Sequence, residues 1–285
     1  MKIEGKKIAA EIMERIKEGM DSRLRGNDKP LVLAVIYVGE NPASEAFIKQ
    51  KKKVAEELGI GFRVYEFSEE VSNEKLREEV VRIAGQGTVE GVVVQLPLPE
   101  KFNRQKILNA VPTEKDVDVL SEKAWGAFSL GRSKVLPPAV GVVDQILNIE
   151  GIDSRFSSTA LTTSRGNDIV VGVVGAGMLV GRPVAAWLSG KVKKLTIFDE
   201  GSDLSELSEY DLVVTGVGKA GIIKPDYLKT GGGVIDFGYE GGKGDLDASD
   251  EERLEKLAFW TPTPGGTGPI LVAKLFENFY KLNRD

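Results

Sequence analysis

Ile169-Val-Val-Gly-Val-Val174-Gly175-Ala176-Gly177-Met-Leu-Val180-Gly181 reads as a strand, a glycine turn and the first residue of a helix. The apolar run does not alternate, which fits a strand covered on both faces. Its glycines follow the pattern Gly-x-Gly-x-x-x-Gly, a relaxed dinucleotide fingerprint that aims a helix N-terminus at a pyrophosphate. The next strand, Lys194-Leu-Thr-Ile-Phe198, ends in Asp199, 24 positions after Gly175. An acidic residue at about that distance reaches the ribose diol of a dinucleotide, although a plain βα turn would also carry a polar residue there. Two further strands follow, Leu212–Thr215 running into Gly216-Val217-Gly218, and Gly233–Phe237 running into Gly238-Tyr239. Glycine at strand carboxyl ends lets a flat cofactor approach the backbone. The chain then passes through Thr261-Pro262-Thr-Pro264-Gly265-Gly266-Thr267-Gly268-Pro269 into a C-terminal helix expected to reach Tyr280. That side-chain-poor turn either ends a domain or lines a planar ligand.

Upstream, the periodicity predicts a helix over 6–19, a strand 31–38, a helix 41–59, a strand 62–67, a helix 73–84 and a strand 91–95, hence a parallel α/β layer. The last of these strands leads through Gly91-Val-Val-Val-Gln95-Leu-Pro97-Leu98, an apolar run that ends in an amide and a proline. Ligands of open α/β sheets bind at such carboxyl ends, and a glutamine there both donates and accepts. A strand followed by a Pro-rich turn without function reads the same way. In the helix 41–59, Asn41-Pro42 supplies an N-cap and a first-turn proline, and Gly59 a stop. Phe47, Val54 and Leu58 form its apolar stripe, and the missing member of that stripe is Lys51. Lys49, Lys52 and Lys53 project elsewhere. Lys51 has two readings: it snorkels from the helix edge, or it is an amine held out of water with a lowered pKa that suits proton transfer. A short helix near 103–110 leads into Pro112-Thr-Glu-Lys115-Asp116-Val-Asp118. If that piece is extended, the two carboxylates share a face, and it is either a capped polar loop or a carboxylate presented to a ligand.

At 285 residues the chain is expected to form two α/β domains, and 41% hydrophobic with 28% charged residues is an ordinary globular composition. No apolar stretch spans a bilayer and Met1-Lys-Ile-Glu-Gly-Lys-Lys7 lacks an apolar leader core, so a cytoplasmic location and no membrane partner are expected. A net charge of −5 gives no global attraction for nucleic acid. The absence of cysteine and histidine removes disulfides, thiolate nucleophiles, Cys/His zinc sites and histidine triads, and no metal site is expected. Acid–base chemistry then rests on lysine, carboxylates or tyrosine. Residues 153–168 are rich in small polar side chains, and their Asp-Ser-Arg and Arg-Gly-Asn-Asp pieces recur at 21–28. Both segments read as surface insertions without chemistry.

Taken in order, Val38-Gly39-Glu-Asn-Pro42-Ala43-Ser44 with Lys51, Val94-Gln95-Leu-Pro97-Leu-Pro99, Lys115-Asp116-Val-Asp118, the glycine loop 175–183, Val217-Gly218-Lys219 and Pro264-Gly265-Gly266-Thr267-Gly268-Pro269 resemble the methylenetetrahydrofolate dehydrogenase/cyclohydrolase family, called FolD in bacteria. The resemblance implies an oxidoreductase and hydrolase of one-carbon metabolism that oxidises 5,10-methylenetetrahydrofolate with NAD or NADP and hydrolyses the methenyl product to 10-formyltetrahydrofolate. It implies an N-terminal tetrahydrofolate-binding domain, 1–139 plus 266–285, and a Rossmann-type domain, 140–265, with the site in a cleft between them, and a homodimer. Lys51 would handle the proton, Gln95 would be its partner and Asp118 would hold the pterin ring. Ser44, Phe47, Pro97, Gly268 and Pro269 would line the substrate. Gly175, Ala176, Gly177, Val180, Gly181, Asp199, Val217, Gly218 and Tyr239 would meet the cofactor.

The chain departs from the family pattern at Phe47, where tyrosine is usual, at Leu136-Pro137-Pro138-Ala139 for Pro-Cys-Thr-Pro, at Val119 for glycine, and at Gly177 for serine. Asp199 would bond the free diol of NAD and repel a 2′-phosphate, which leans the expectation to NAD. The alternatives are an NAD-linked dehydrogenase of another small acid, with the shikimate and amino-acid dehydrogenases as examples, or a nucleotide-binding regulatory protein without catalysis.

Overall fold

The computed structural model describes residues 1–24, 31–152, 154–157 and 168–284. The echo segment from 25 to 28 and most of the 153–168 insertion therefore lie outside the described residues. The chain divides into two compact units, one of residues 10–138 with 272–285, the other of residues 1–9 with 139–271.

In the first unit, helix α1 (Gly5–Leu24, its first turn counted with the other unit) precedes β1 (Val32–Val38), α2 (Pro42–Glu57), β2 (Gly61–Phe67), α3 (Asn73–Ala84) and β3 (Val89–Val94). The strands form a parallel sheet in the order β2-β1-β3. Every residue of β1 is buried, as an unalternating apolar run in a central strand requires. The N-cap forms as expected, with the Asn41 side chain accepting from Ser44 N at 2.9 Å. Beyond β3 come α4 (Arg104–Leu108) and α5 (Glu122–Ser129), and the second of these is not announced by the hydrophobic periodicity.

The second unit opens with most of α6 (Pro138–Leu147) and continues through β4 (Val170–Val174), α7 (Gly181–Leu188), β5 (Lys194–Phe198), β6 (Leu212–Thr215), β7 (Gly233–Asp236), α8 (Glu251–Glu255) and β8 (Phe259–Trp260). Its parallel sheet has the order β5-β4-β6-β7-β8. Val174, Phe198, Leu207, Tyr210, Val213 and Val234 belong to the core packed on it. The last helix, α9 (Thr267–Leu282), gives its first turn to this unit and the rest to the other.

Three details differ from the sequence expectation. Residues 1–9 cluster with the second unit, because Trp260 N donates to Met1 O (3.0 Å) and Ile3 N to Trp260 O (2.9 Å), which lays the chain start along β8. Thr267 already begins α9, so Gly268 and Pro269 stand in its first turn and not in the preceding loop, where proline suits a position whose N–H has no helical partner. Within the supposed surface insertion, Ser154–Phe156 forms a helical turn that buries Phe156 edge-on against Phe259 at 5.4 Å, and Arg155 donates to Gly231 O at 2.7 Å. An aromatic ring in that polar stretch was the available signal.

Candidate functional site

In the first unit, β3 delivers Gln95 to the end of the sheet, with Gln95 N donating to Ile36 O at 2.9 Å. One face of α2 brings Lys51 to it, and Lys51 Nζ donates to Gln95 Oε1 at 2.9 Å with both side chains buried, 9% and 7% exposed. The neighbouring Lys49, Lys52 and Lys53 are exposed. This geometry rules out the snorkelling reading. The Gln95 amide is fixed on its other side by Nε2 donating to Leu96 O (2.8 Å), and Ser44 Oγ donates to the same carbonyl (3.3 Å). The Leu96–Pro97 peptide bond is cis and leaves Pro97 exposed beside them, while Phe47 is half-buried one turn before Lys51.

Burial lowers the Lys51 pKa, against an opposing pull from the negative charge of Asp118. Burial also pushes the Asp118 carboxyl up to about 6, opposed by Lys51 and reinforced by Asp116. Among the described residues no hydrogen bond reaches the Asp118 carboxylate, so its acceptor capacity is unspent.

The two aspartates do not share a role. Asp116 turns inward, 4% exposed, and accepts from Leu120 N (3.0 Å) and Ser121 N (2.7 Å), which ties the turn that leads into α5. Val119, inside that turn, has φ 59°, a left-handed conformation that a β-branched residue rarely adopts. Further anchors escaped the sequence reading. Lys115 Nζ donates to Ala84 O (2.8 Å), and Asn278 Nδ2 donates to Val117 O (2.9 Å) and Leu136 O (2.7 Å). Asn278 lies far along the chain, and only its position inside an apolar helix marked it. The Tyr37 hydroxyl, at the end of β1, donates toward Asn41 O or Glu45 Oε1, each at 3.3 Å, and braces the start of α2.

In the second unit, the glycine turn closes on itself. Gly175 has φ 92°, and a β-carbon on Gly181 would run into the carbonyl oxygen of Gly175, so both positions demand glycine. Val180 caps α7 without a side-chain hydrogen bond; Arg182 N already donates to Gly177 O at 3.0 Å and Pro183 has no N–H, so the Gly181 N–H is what the helix start offers an external acceptor. A β-carbon on Gly216 would meet Val180 at 2.8 Å, and one on Gly175 would meet Val217 at 3.1 Å, so loop 216–218 lies directly against the turn. Val217 and Tyr239 are 46% and 56% exposed, which leaves both side chains free to meet a ligand beside the turn. Gly177 is surrounded by open space, and Ala176 beside it is half-buried. Asp199 is exposed at the end of β5, with its backbone N–H bonded to Ser202 Oγ at 3.0 Å. These features fit a dinucleotide: a close-packed glycine turn, an uncapped helix start and an acidic strand end.

The family model for the catalytic domain of tetrahydrofolate dehydrogenase/cyclohydrolase matches residues 3–118, and that for its NAD(P)-binding domain matches residues 156–285. The chain belongs to this family. A bifunctional protein FolD of Listeria innocua is 34% identical over 288 residues, covering 98% of this chain and 95% of the relative. The crystal structure of the bifunctional FolD of Campylobacter jejuni superposes with a TM-score of 0.87 at 32% identity, covering 99% of this chain and 98% of that one. The FolD of Trypanosoma brucei, complexed with NADP and an inhibitor, also gives 0.87, at 25% identity over 99% and 96% of the two chains.

As a FolD-family chain, the protein contains an NAD(P)-binding domain and is an enzyme of the dehydrogenase/cyclohydrolase class, which sets aside the small-acid dehydrogenase and the non-catalytic reading. Among the described residues no helix is long and apolar enough to cross a membrane, and no group of three or more acidic residues could hold a metal ion.

Proposed function

We propose that the chain oxidises 5,10-methylenetetrahydrofolate and hydrolyses the resulting methenyl form, with Lys51, Gln95 and Asp118 as its working side chains. The observation that carries the reading is the buried bond from Lys51 Nζ to Gln95 Oε1, with an uncommitted carboxylate near enough to perturb the amine. Loss of hydride from the carbon bridging N5 and N10 leaves a cation delocalised over both nitrogens. When bound, the nicotinamide supplies the acceptor for that hydride. A fully charged ammonium beside the cation would repel it, so a lysine whose pKa is lowered by burial suits both steps. Neutral Lys51 takes a proton from the water that attacks the methenyl carbon, the resulting carbinolamine opens by cleavage of its C–N5 bond as the proton passes to N5, and the Gln95 amide keeps the amine in place. Asp118 accepts from the pterin amino group and ring N–H, which its unspent oxygens allow. Phe47, in place of the usual tyrosine, stacks on the ring but gives Lys51 no hydroxyl, so Gln95 is the bonded partner of the amine.

On the cofactor side the reading assigns Gly175, Ala176, Gly177, Val180 and Gly181 to the pyrophosphate, and Val217, Gly218 and Tyr239 to the remainder of the dinucleotide. Exposed Asp199 favours the free diol of NAD over a 2′-phosphate. Gly268 and Pro269 keep their assignment to the substrate, and the working form is a cytoplasmic homodimer.

One assay tests the whole: purified protein with methylenetetrahydrofolate and either NAD or NADP, following methenyl and reduced-nicotinamide absorbance separately. Folate-dependent reduction with NAD preferred is the expected result. No reduction with either cofactor sinks the function, and faster turnover with NADP at matched concentrations sinks the cofactor preference alone.

A further inference from the structure

Loop 216–218, with Thr215 before it and Lys219 after it, is held by one side chain that no sequence motif singled out. The Asp245 carboxylate is fully buried and accepts from Thr215 Oγ1 (2.6 Å), Val217 N (2.8 Å), Gly218 N (2.9 Å) and Lys219 N (2.8 Å). Three successive backbone N–H groups form a concavity that ordinarily takes an anion such as phosphate. Here the chain fills it with its own carboxylate. The ligand-facing side of the loop is therefore the apolar Val217 and bare glycine backbone, a surface for an uncharged part of a dinucleotide and not for its phosphates.

The anchor is itself locked from behind. A β-carbon on Gly238 would overlap the Asp245 carboxylate, and one on Gly244 would overlap the Asp236 carboxylate, so each acid is packed against a glycine beside the other. Asp236 accepts from Gly238 N (2.7 Å) and Leu246 N (2.9 Å). The two carboxylates thus tie the loop carrying Val217 and Gly218, the loop carrying Tyr239, and residues 244–246 into one rigid piece. Burial, with the charge of Asp245 adding to it, pushes the Asp236 carboxyl up to about 6.

We propose that Asp245 is a positioning residue for the dinucleotide: it presets loop 216–218 against the glycine turn, so that cofactor affinity depends on it while the hydrolytic step does not. The proposal rests on the NAD(P)-binding reading of this unit. The test compares Asp245→Asn with wild type in three measurements: calorimetric Kd for NADH and NADPH, KM and kcat of the dehydrogenase, and hydrolysis of methenyltetrahydrofolate without dinucleotide. An asparagine replaces one of the two acceptor oxygens with a donor that faces backbone N–H groups. The expected result is a rise of at least tenfold in Kd and KM for the dinucleotide, with kcat at saturation and the hydrolytic rate within twofold of wild type. Unchanged Kd and KM, or an equal loss in all three measurements, overturns the proposal. If Asp245→Asn does not fold, Thr215→Val, which removes a single bond to the carboxylate, is expected to raise the dinucleotide Kd two- to fivefold, and no change overturns the proposal. The Kd measurement needs no folate turnover, so failure of the catalytic reading in wild type is separable from failure of this one.

Discussion

Lys51 is the residue on which the chemistry turns, because α2 forces an amine into a place where its charged form is disfavoured. Lys51→Met keeps the length and removes the proton acceptor. Hydrolysis of methenyltetrahydrofolate should fall by roughly a hundredfold or more, the usual worth of a positioned acid–base group, and a rate within threefold of wild type refutes the role. Asp118 gives a pH signature. Its carboxyl titrates at about 6 in the fold, so the acceptor form prevails above that pH and is lost below it. KM for the folate should therefore rise as pH falls, by about tenfold between pH 7.5 and 5, and Asp118→Asn should show a high KM with no such slope. For stability the sign is opposite to the common carboxylate case. A raised folded pKa favours the native state on the acid side of the window, and that contribution fades as pH climbs from the unfolded value through about 6.

At the scale of elements, the glycine turn and the Asp118 turn make contrasting demands. Gly181→Ala should cost about 1–3 kcal/mol of stability through overpacking against the Gly175 carbonyl and weaken dinucleotide binding, read by thermal unfolding and calorimetry together. Gly177→Ser meets open space and should leave the unfolding midpoint unchanged while strengthening cofactor binding through a new polar contact. Val119 is fully buried yet left-handed. Truncating a buried aliphatic side chain ordinarily costs about 2–5 kcal/mol, but relief of the left-handed backbone returns about 1–2. Val119→Gly should thus lose only about 2 kcal/mol in urea unfolding, and a loss above about 4 would show that no left-handed strain is relieved there.

Strands β1 to β7 were legible from their apolar runs, and helices α2 and α3 from a regular apolar period with caps written in local sequence, as in Asn41-Pro42, whereas the two-residue β8 was not expected. The helix α5 was not, since its eight residues give too short a window for periodicity. Asp116 was half legible: the doublet with Asp118 was visible, but which acid turns inward depends on backbone dihedrals that no spacing rule supplies.

At the scale of the molecule, the last helix explains why the first unit needs residues from both ends of the chain. Asn278 reaches across 161 positions to the carbonyl of Val117, next to Asp118, and its amide also holds Leu136 O. Asn278→Ala orphans two carbonyls and should cost about 1–3 kcal/mol, with a higher KM for the folate if the Asp118 turn loosens. A KM equal to wild type in a destabilised variant would confine Asn278 to a structural role. Such partners are invisible in one sequence, because long-range hydrogen bonds leave no period. The same holds for Asp245, whose four donors all lie in the segment 215–219, 26 to 30 positions before it.

The displaced carboxyls of Asp118 and Asp236, both near 6, stand in a chain that has no imidazole at all. In most proteins the buffering of that interval is crowded with histidine signals. Here carbon-13 side-chain carboxyl spectra taken across it would follow these two acids, together with Asp116, whose carboxyl burial also raises, without any overlapping imidazole titration, so each unit of the molecule carries its own built-in reporter.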